Sequence, residues 1–98
     1  MYGTVSRMRV KPGSGERLRE VMAAYDDLKI PGFVGTYVYR MDRDPDEYFT
    51  AVLFEDRDSY TRNAEDPEQD RRYRELRELL TEDPEWNDGE VVWSSGGR

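Results

Sequence analysis

The chain of 98 residues carries 15 Lys and Arg against 22 Asp and Glu, a formal net charge of −7, and contains neither Cys nor His. That length holds one domain with a modest core, and the acidic balance repels a nucleic-acid backbone or an anionic membrane. Without thiols or imidazoles there is no disulfide framework, no thiol chemistry, no usual zinc ligand and no histidine base. Charged residues make up 38% and mean hydropathy is −1.01, but seven Tyr, three Phe and two Trp fall in periodic segments and predict a folded chain whose core wants a partner. The first ten residues lack the apolar centre of a signal peptide and no apolar run is long enough to span a membrane, so a soluble cytoplasmic protein is expected.

Residues 2–10 alternate Thr4, Ser6, Met8 and Val10 with Val5, Arg7 and Arg9, which predicts a strand with one mildly apolar side and one side carrying two arginines. Lys11-Pro12-Gly13-Ser14-Gly15 interrupts it, and Ser14 stands where it would cap a helix with the stripe Leu18, Val21, Met22, Tyr25 and Leu28. Glu16, Arg19, Glu20, Asp26 and Asp27 form the wet face, and Pro31-Gly32 ends the helix.

Next comes a hairpin around which the rest is organised. Its first arm, residues 33–41, sets Phe33, Gly35, Tyr37, Tyr39 and Met41 on one side and Val34, Thr36, Val38 and Arg40 on the other. The second arm, residues 48–55, sets Tyr48, Thr50, Val52 and Phe54 opposite Phe49, Ala51 and Leu53. Neither side of either arm is plainly polar, so helices should cover one face of the sheet and a second body, such as another copy of the chain, the other. Asp42, Asp44 and Asp46 alternate in the turn, but the sixth and twelfth places of a calcium loop counted from Asp42 hold Glu47 and Leu53 where Gly and Glu are required. A solvated turn is the reading, with no metal.

Asp56 caps a short helix over 56–64 with Tyr60 and Asn63 three residues apart, and Asp66-Pro67-Glu68-Gln69 starts another. That helix should bury Tyr73, Leu76, Leu79 and Leu80 and pair Arg71 with Glu75 and Arg74 with Glu78 on its wet side. Asp83-Pro84 closes it, residues 90–93 form a last strand, and 94–98 a loose tail after a single domain over 1–93. Strand, helix, strand, strand, helix, strand is an α+β, ferredoxin-like βαββαβ order with an antiparallel sheet and both helices on one face.

Arg7-Met8-Arg9-Val10-Lys11-Pro12-Gly13 leaving the first strand, Pro31-Gly32-Phe33 with Gly35, and Phe54-Glu55-Asp56-Arg57-Asp58-Ser59-Tyr60 carry a resemblance that continues from Asn63 through Asp66-Pro67 to Leu76, Leu79 and Leu80. Together they resemble the antibiotic biosynthesis monooxygenase family of dimeric α/β barrels over nearly the whole chain. The resemblance implies a homodimer with its two sheets face to face and a mostly apolar pocket between sheet and helices in each subunit. It also implies an oxygenase free of metal, flavin and haem. Such enzymes let a phenolic or quinol-like substrate ionise in a dry pocket so that its anion reduces dioxygen directly. The haem-degrading branch relies on a His ligand, which this chain lacks. No cofactor is therefore expected; the partners are a second copy of the chain and a small aromatic or apolar ligand, with no nucleic acid and no membrane.

The resemblance places Asn63 where relatives carry a polar residue, implying a hydrogen bond to a substrate or peroxy oxygen; the alternative is a helix C-cap before Asp66-Pro67. Arg7 and Arg9 would hold a phenolate, or else pair with the acidic excess at the surface. Tyr60 and Tyr73 would line the pocket and supply a hydroxyl, or else be plain core, and Trp86 would stack on an aromatic ligand or seal the barrel mouth or the dimer. The expected catalytic residues are thus Asn63, Tyr73 and Arg7, and the expected substrate-binding residues are Arg9, Tyr60, Phe33, Tyr37 and Trp86. Two other functions suit the same residues: a non-catalytic dimeric protein that binds or sequesters a small molecule, and an isomerase or cyclase acting on a polyketide-like or muconolactone-like substrate.

Overall fold

The alternation of Thr4, Ser6, Met8 and Val10 with exposed or charged neighbours is realised as a central strand, and everything else is hung on it. In the computed structural model, which describes residues 1–96, the elements are β1 (Tyr2–Arg9), α1 (Gly15–Ala23) continued by a 3-10 turn (Ala24–Asp27), β2 (Phe33–Arg40), β3 (Glu47–Phe54), α2 (Arg57–Ala64), α3 (Pro67–Arg77) and β4 (Glu85–Glu90). The four strands form one antiparallel sheet in the order β2-β3-β1-β4. This is the ferredoxin-like arrangement, with the second helical segment split into α2 and α3 at Asp66-Pro67. Among the described residues no helix is long and apolar enough to cross a membrane.

One face of the sheet meets the helices. Met8 and Val10 of the β1 segment and Tyr48 of β3 pack with Leu18 and Val21 of α1 and with Leu76 and Leu80 at the end of α3. Each such side chain contributes about 1.5–3 kcal/mol on burial, and this cluster closes one end of the helix layer. The predicted stripe of α1 holds for Leu18 and Val21, with Met22 and Tyr25 half-buried, while Leu28 lies beyond the helix and is exposed. Ser14 precedes α1 without making a side-chain cap.

Three local features differ from the sequence reading. A bulge between Phe33 and Gly35 shifts the phase of β2, so Phe33 pairs with Phe54 and shares a face with Thr36 and Val38, while Gly35 and Tyr37 fall on the other face. The last strand is β4 at Glu85–Glu90, earlier than residues 90–93; its six exposed residues carry no apolar alternation, and pairing with β1 alone defines it. On α3, Arg71 and Arg74 turn back to Glu68 and Asp70, whose charges also favour the helix N-terminus, in place of Glu75 and Glu78. Residues 91–93, expected in the last strand, and residues 94–96 of the expected tail belong to no helix or strand, and residues 97–98 lie outside the described residues.

The other face has no helix over it. Val5, Tyr37 and Tyr39 are 51%, 61% and 57% exposed there. At one end of this face Glu47 is buried between two arginines, accepting from Arg7 Nε and Arg43 Nε at 2.6 Å each. Beside it Arg9 donates to Asp44 at 2.7 Å. Hydrogen bonds from Arg43 and Arg7 pull the Glu47 carboxyl from 4.5 to about 2. A carboxyl with a depressed folded-state pKa contributes stability that is complete above its unfolded value and is lost as pH falls through the folded one. Glu47→Gln is therefore expected to lower the urea midpoint at pH 7. The gap to the natural protein should narrow steadily between pH 4.5 and about 2, and a pH-independent gap would rule the ion network out as its cause.

Candidate functional site

Between the helix-facing side of the sheet and α1, α2 and α3 lies a cavity of about 490 Å³. It exists because the strands present short hydroxyl side chains there: Thr4 and Thr50 line it, and both are buried along with Ser6, which lies behind them. Ser6 and Thr50 hydrogen-bond each other across the β1–β3 pair, and the backbone N–H of Asn87 donates to Thr4 Oγ1 at 3.2 Å. The polar groups that make room for the cavity are thereby satisfied. Six aromatic residues line the cavity: Tyr25, Phe33, Phe54, Tyr60, Tyr73 and Trp86.

The caps that position α2 and α3 bring their functional side chains to the wall. Asp56 accepts from the Ser59 N–H at 2.8 Å and starts α2, which holds Tyr60 and Asn63 one turn apart. Gly32, at φ +80°, passes so close to α2 that a Cβ there would overlap the Ser59 side chain, and its carbonyl accepts the Glu55 N–H at 2.7 Å. Asp66 caps α3 through the Glu68 N–H at 2.9 Å, with Pro67 in the first turn. The Gln69 side chain takes no part in that cap and accepts from Arg72 at the cavity edge.

Tyr60 is held edge-on by Tyr2 and Phe54, with ring centroids 5.3 and 5.6 Å away. Its hydroxyl donates to Asp88 Oδ1 at 2.9 Å. Burial, and then that hydrogen bond to a carboxylate, push the phenol up to about 12. Tyr60 is therefore protonated at neutral pH, a donor and no base. Tyr73 packs against Trp86 at 6.1 Å, so α3 and β4 close the cavity from one side.

Of the eight expected site residues, Asn63, Tyr73, Tyr60, Phe33 and Trp86 line this cavity and the other three do not. Arg7 and Arg9 point to the far face of the sheet, engaged with Glu47 and Asp44, because strand alternation puts them opposite Met8. Tyr37 lies on that far face too, separated from Phe33 by the bulge. Asn63 makes no side-chain hydrogen bond within the described residues; the α2 C-terminus is closed by backbone bonds, including Asp66 N–H to the Asn63 carbonyl at 3.1 Å.

Sequence reading missed Asp88, Thr4 and Thr50, which also line the cavity. The signal for Asp88 was the period-two spacing of Trp86 and Asp88, legible only once that segment is recognised as a strand.

The profile of a family described as antibiotic biosynthesis monooxygenase matches residues 1–75. No curated protein matches the chain in sequence. Among solved structures, SnoaB from Streptomyces nogalater, described as a cofactor-independent oxygenase, superposes with a TM-score of 0.80 at 22% identity, covering 95% of this chain and 94% of that one. An asparagine-to-alanine mutant of SnoaB gives the same figures. A protein from Chloroflexus aurantiacus carrying the family's designation is similar at TM-score 0.77 and 22% identity, over 97% of this chain and 96% of that one. One from Bordetella bronchiseptica with the same designation has a TM-score of 0.80 at 18% identity, over 94% and 97%. At such identities these likenesses establish a shared fold.

The free side chain of Asn63 generates a stability test. Asn63→Ala is expected to shift the unfolding free energy by less than about 0.5 kcal/mol, as a substitution outside any bonded network does. A loss of about 1 kcal/mol in urea unfolding would mean that the side chain caps α2 after all.

Proposed function

The chain belongs to the antibiotic biosynthesis monooxygenase family, and from that membership we propose that it is a cofactor-independent oxygenase acting on a small aromatic or quinol-like compound. The observation that carries the reading is the cavity itself. About 490 Å³ falls within the roughly 300–1,000 Å³ of small-molecule sites, and the lining is aromatic with a few polar groups. SnoaB, which shares the fold, is described as an oxygenase of this kind.

The chemistry asks for desolvation, orientation and stabilisation of charge as it develops. A substrate ring held among Phe33, Phe54, Tyr73 and Trp86 loses its hydroxyl proton to a wall carboxylate or to water, since the chain has no His. The electron-rich ring passes one electron to dioxygen, and the resulting radical pair combines at carbon. Loss of water from the hydroperoxide leaves a quinone, so one oxygen atom enters the product and the other leaves as water with two substrate hydrogens. Asn63 is the proposed amide donor to the substrate or peroxy oxygen, and Tyr73 the hydroxyl group beside it. Arg7 and Arg9, on the other face, take no part in this scheme.

The uncovered sheet face supports a homodimer. Val5, Tyr37 and Tyr39 are largely exposed there, and Ala51 and Leu53 lie on the same side of the sheet by strand alternation. A contiguous apolar surface of this kind favours a second body, and a second copy of the chain would cover both at once.

Two measurements test the proposal. Purified, chelator-treated protein offered hydroquinones, naphthols and anthrones should take up oxygen saturably above the spontaneous rate, one dioxygen per quinone formed, and Asn63→Ala should slow it at least about tenfold. Tight binding without uptake would identify a carrier instead. Light scattering should give twice the 11.6 kDa chain mass, falling to one chain in Tyr37→Glu; a monomer in the natural protein would sink the shared sheet.

A further inference from the structure

The charge on the cavity wall is one-sided. Among the described residues Asp70 and Asp88 line the cavity and no Lys or Arg does, Arg72 reaching only its edge through Gln69 and the Tyr25 ring. Asp70 is already paired with Arg74 at 2.9 Å. Asp88 has a neutral partner only, the Tyr60 hydroxyl on Oδ1; among the described residues no Lys or Arg comes within salt-bridge distance of it, and no group donates to its Oδ2. Asp88 is exposed on β4, so its carboxylate acts as an uncompensated charge at the cavity mouth, felt by a ligand group brought into contact with it and screened by solvent farther away.

The carboxylate is also fixed in place. Asp88 stands on β4 in register with Thr4, two residues from Trp86 on the same face of the strand. Tyr60, gripped by Tyr2 and Phe54, holds one carboxylate oxygen from the α2 side. Same-face residues two apart on a strand are about 7 Å from each other, within the span of a fused bicyclic ring and one substituent. A ring packed on Trp86 can therefore bring that substituent to Asp88.

We propose that Asp88 is the specificity-determining residue of the cavity, accepting a hydrogen bond from the hydroxyl of a neutral aromatic ligand and rejecting a ligand that carries a carboxylate in its place. The inference rests on the cavity being the substrate site. It narrows the substrate class to uncharged, hydroxyl-bearing aromatics and excludes aryl carboxylates. Discrimination works by placing a like charge against the unwanted ligand as well as a partner for the wanted one. Tyr60 is a positioning residue, acting through the carboxylate it holds.

The test is calorimetric binding of 2-naphthalenemethanol and 2-naphthoate to the whole protein. Salt at about 150 mM screens the net negative charge of the surface beyond roughly 8 Å and leaves the effect of Asp88 itself. The alcohol should bind about tenfold or more tightly than the carboxylate, and Asp88→Asn, which keeps an oxygen for Tyr60, should cut that ratio below about threefold by improving carboxylate binding. Tyr60→Phe, which keeps the ring and removes only the hydrogen bond to Oδ1, should narrow the ratio, whereas loss of packing would weaken both compounds alike and leave the ratio unchanged. Asp88→Ser serves if the Asn variant fails to fold, with the same expected collapse of the ratio. An unchanged ratio in either variant, a carboxylate that binds the natural protein as well as the alcohol does, or no binding of either compound at millimolar concentration would overturn the inference. Oxygen is not consumed in this assay. Charge discrimination in a protein that oxygenates nothing would remove the oxygenase and leave Asp88 its role; oxygenation of charged and neutral compounds alike would do the reverse.

Discussion

A single extra residue in β2 decides what each face of the sheet is for. Between Phe33 and Gly35 the strand carries one more residue than its partner, and Val34 takes the slack at 47% exposure. The shift sends Phe33 towards the helices, where its ring meets Phe54 at 5.6 Å and becomes part of the cavity wall. It sends Tyr37 and Tyr39 to the opposite face, pairing in register with Ala51 and Phe49. A one-residue slip exchanges the faces of every side chain that follows, so the cavity and the uncovered surface depend on the same irregularity. Gly32 secures it from outside: its positive φ turns the chain into β2, and its contact with Ser59 sets the distance to α2.

The sheet consequently works as a partition between two electrostatic environments. On the far face, Arg7, Arg9 and Arg43 are consumed by Glu47 and Asp44 at the hairpin end, where the carboxyls are held below their ordinary range. On the near face, among the described residues, no Lys or Arg lines the cavity, and Arg72 stops at its edge against Gln69 and Tyr25. A ligand oxygen in the cavity can lean on hydrogen-bond donors but on no ion pair, which makes donor-oriented recognition a better match to this wall than charge neutralisation.

The element order, the helix caps at Asp56 and Asp66 and the core positions Leu18, Val21, Leu76 and Leu80 were readable in the sequence, because each rests on a local rule: spacing of three and four, or an acidic cap followed by a turn. Tyr60, Asn63, Tyr73, Phe33 and Trp86 were likewise placed among the site candidates, and all five line the cavity. The failures share one cause. Tyr37 was grouped with Phe33 by unbroken alternation, and a bulge leaves no residue signature that alternation can see. Charge alone suggests Arg7 and Arg9 as ligand-binding residues, and only the packing of the helices on the Met8 side of β1 shows that they face away from the cavity. Segment 85–90 has no β-propensity to speak of, since pairing with β1 makes it a strand; tertiary context overrides propensity in such edge segments. Asp88 went unseen with it.

The cavity, in turn, is a consequence of what β1 and β3 decline to bury. A domain of this size gains stability most directly by filling its core with Leu, Ile and Val, yet at the centre of the two middle strands stand Thr4, Ser6 and Thr50. Their hydroxyls have partners, so burying them incurs no unmet hydrogen bond. What they forgo is packing volume, and the space appears on the side where Phe54, Tyr60, Tyr73 and Trp86 ring it with rigid surfaces. The apolar core adjoins it, with Met8 and Leu76 shared between the two and Val10, Leu18, Tyr48 and Leu80 packed beyond the cavity wall. Short hydroxyl residues with mutually satisfied hydrogen bonds, set beside close-packed aliphatics, divide one small layer into a part that holds the fold and a part that stays open for a ligand.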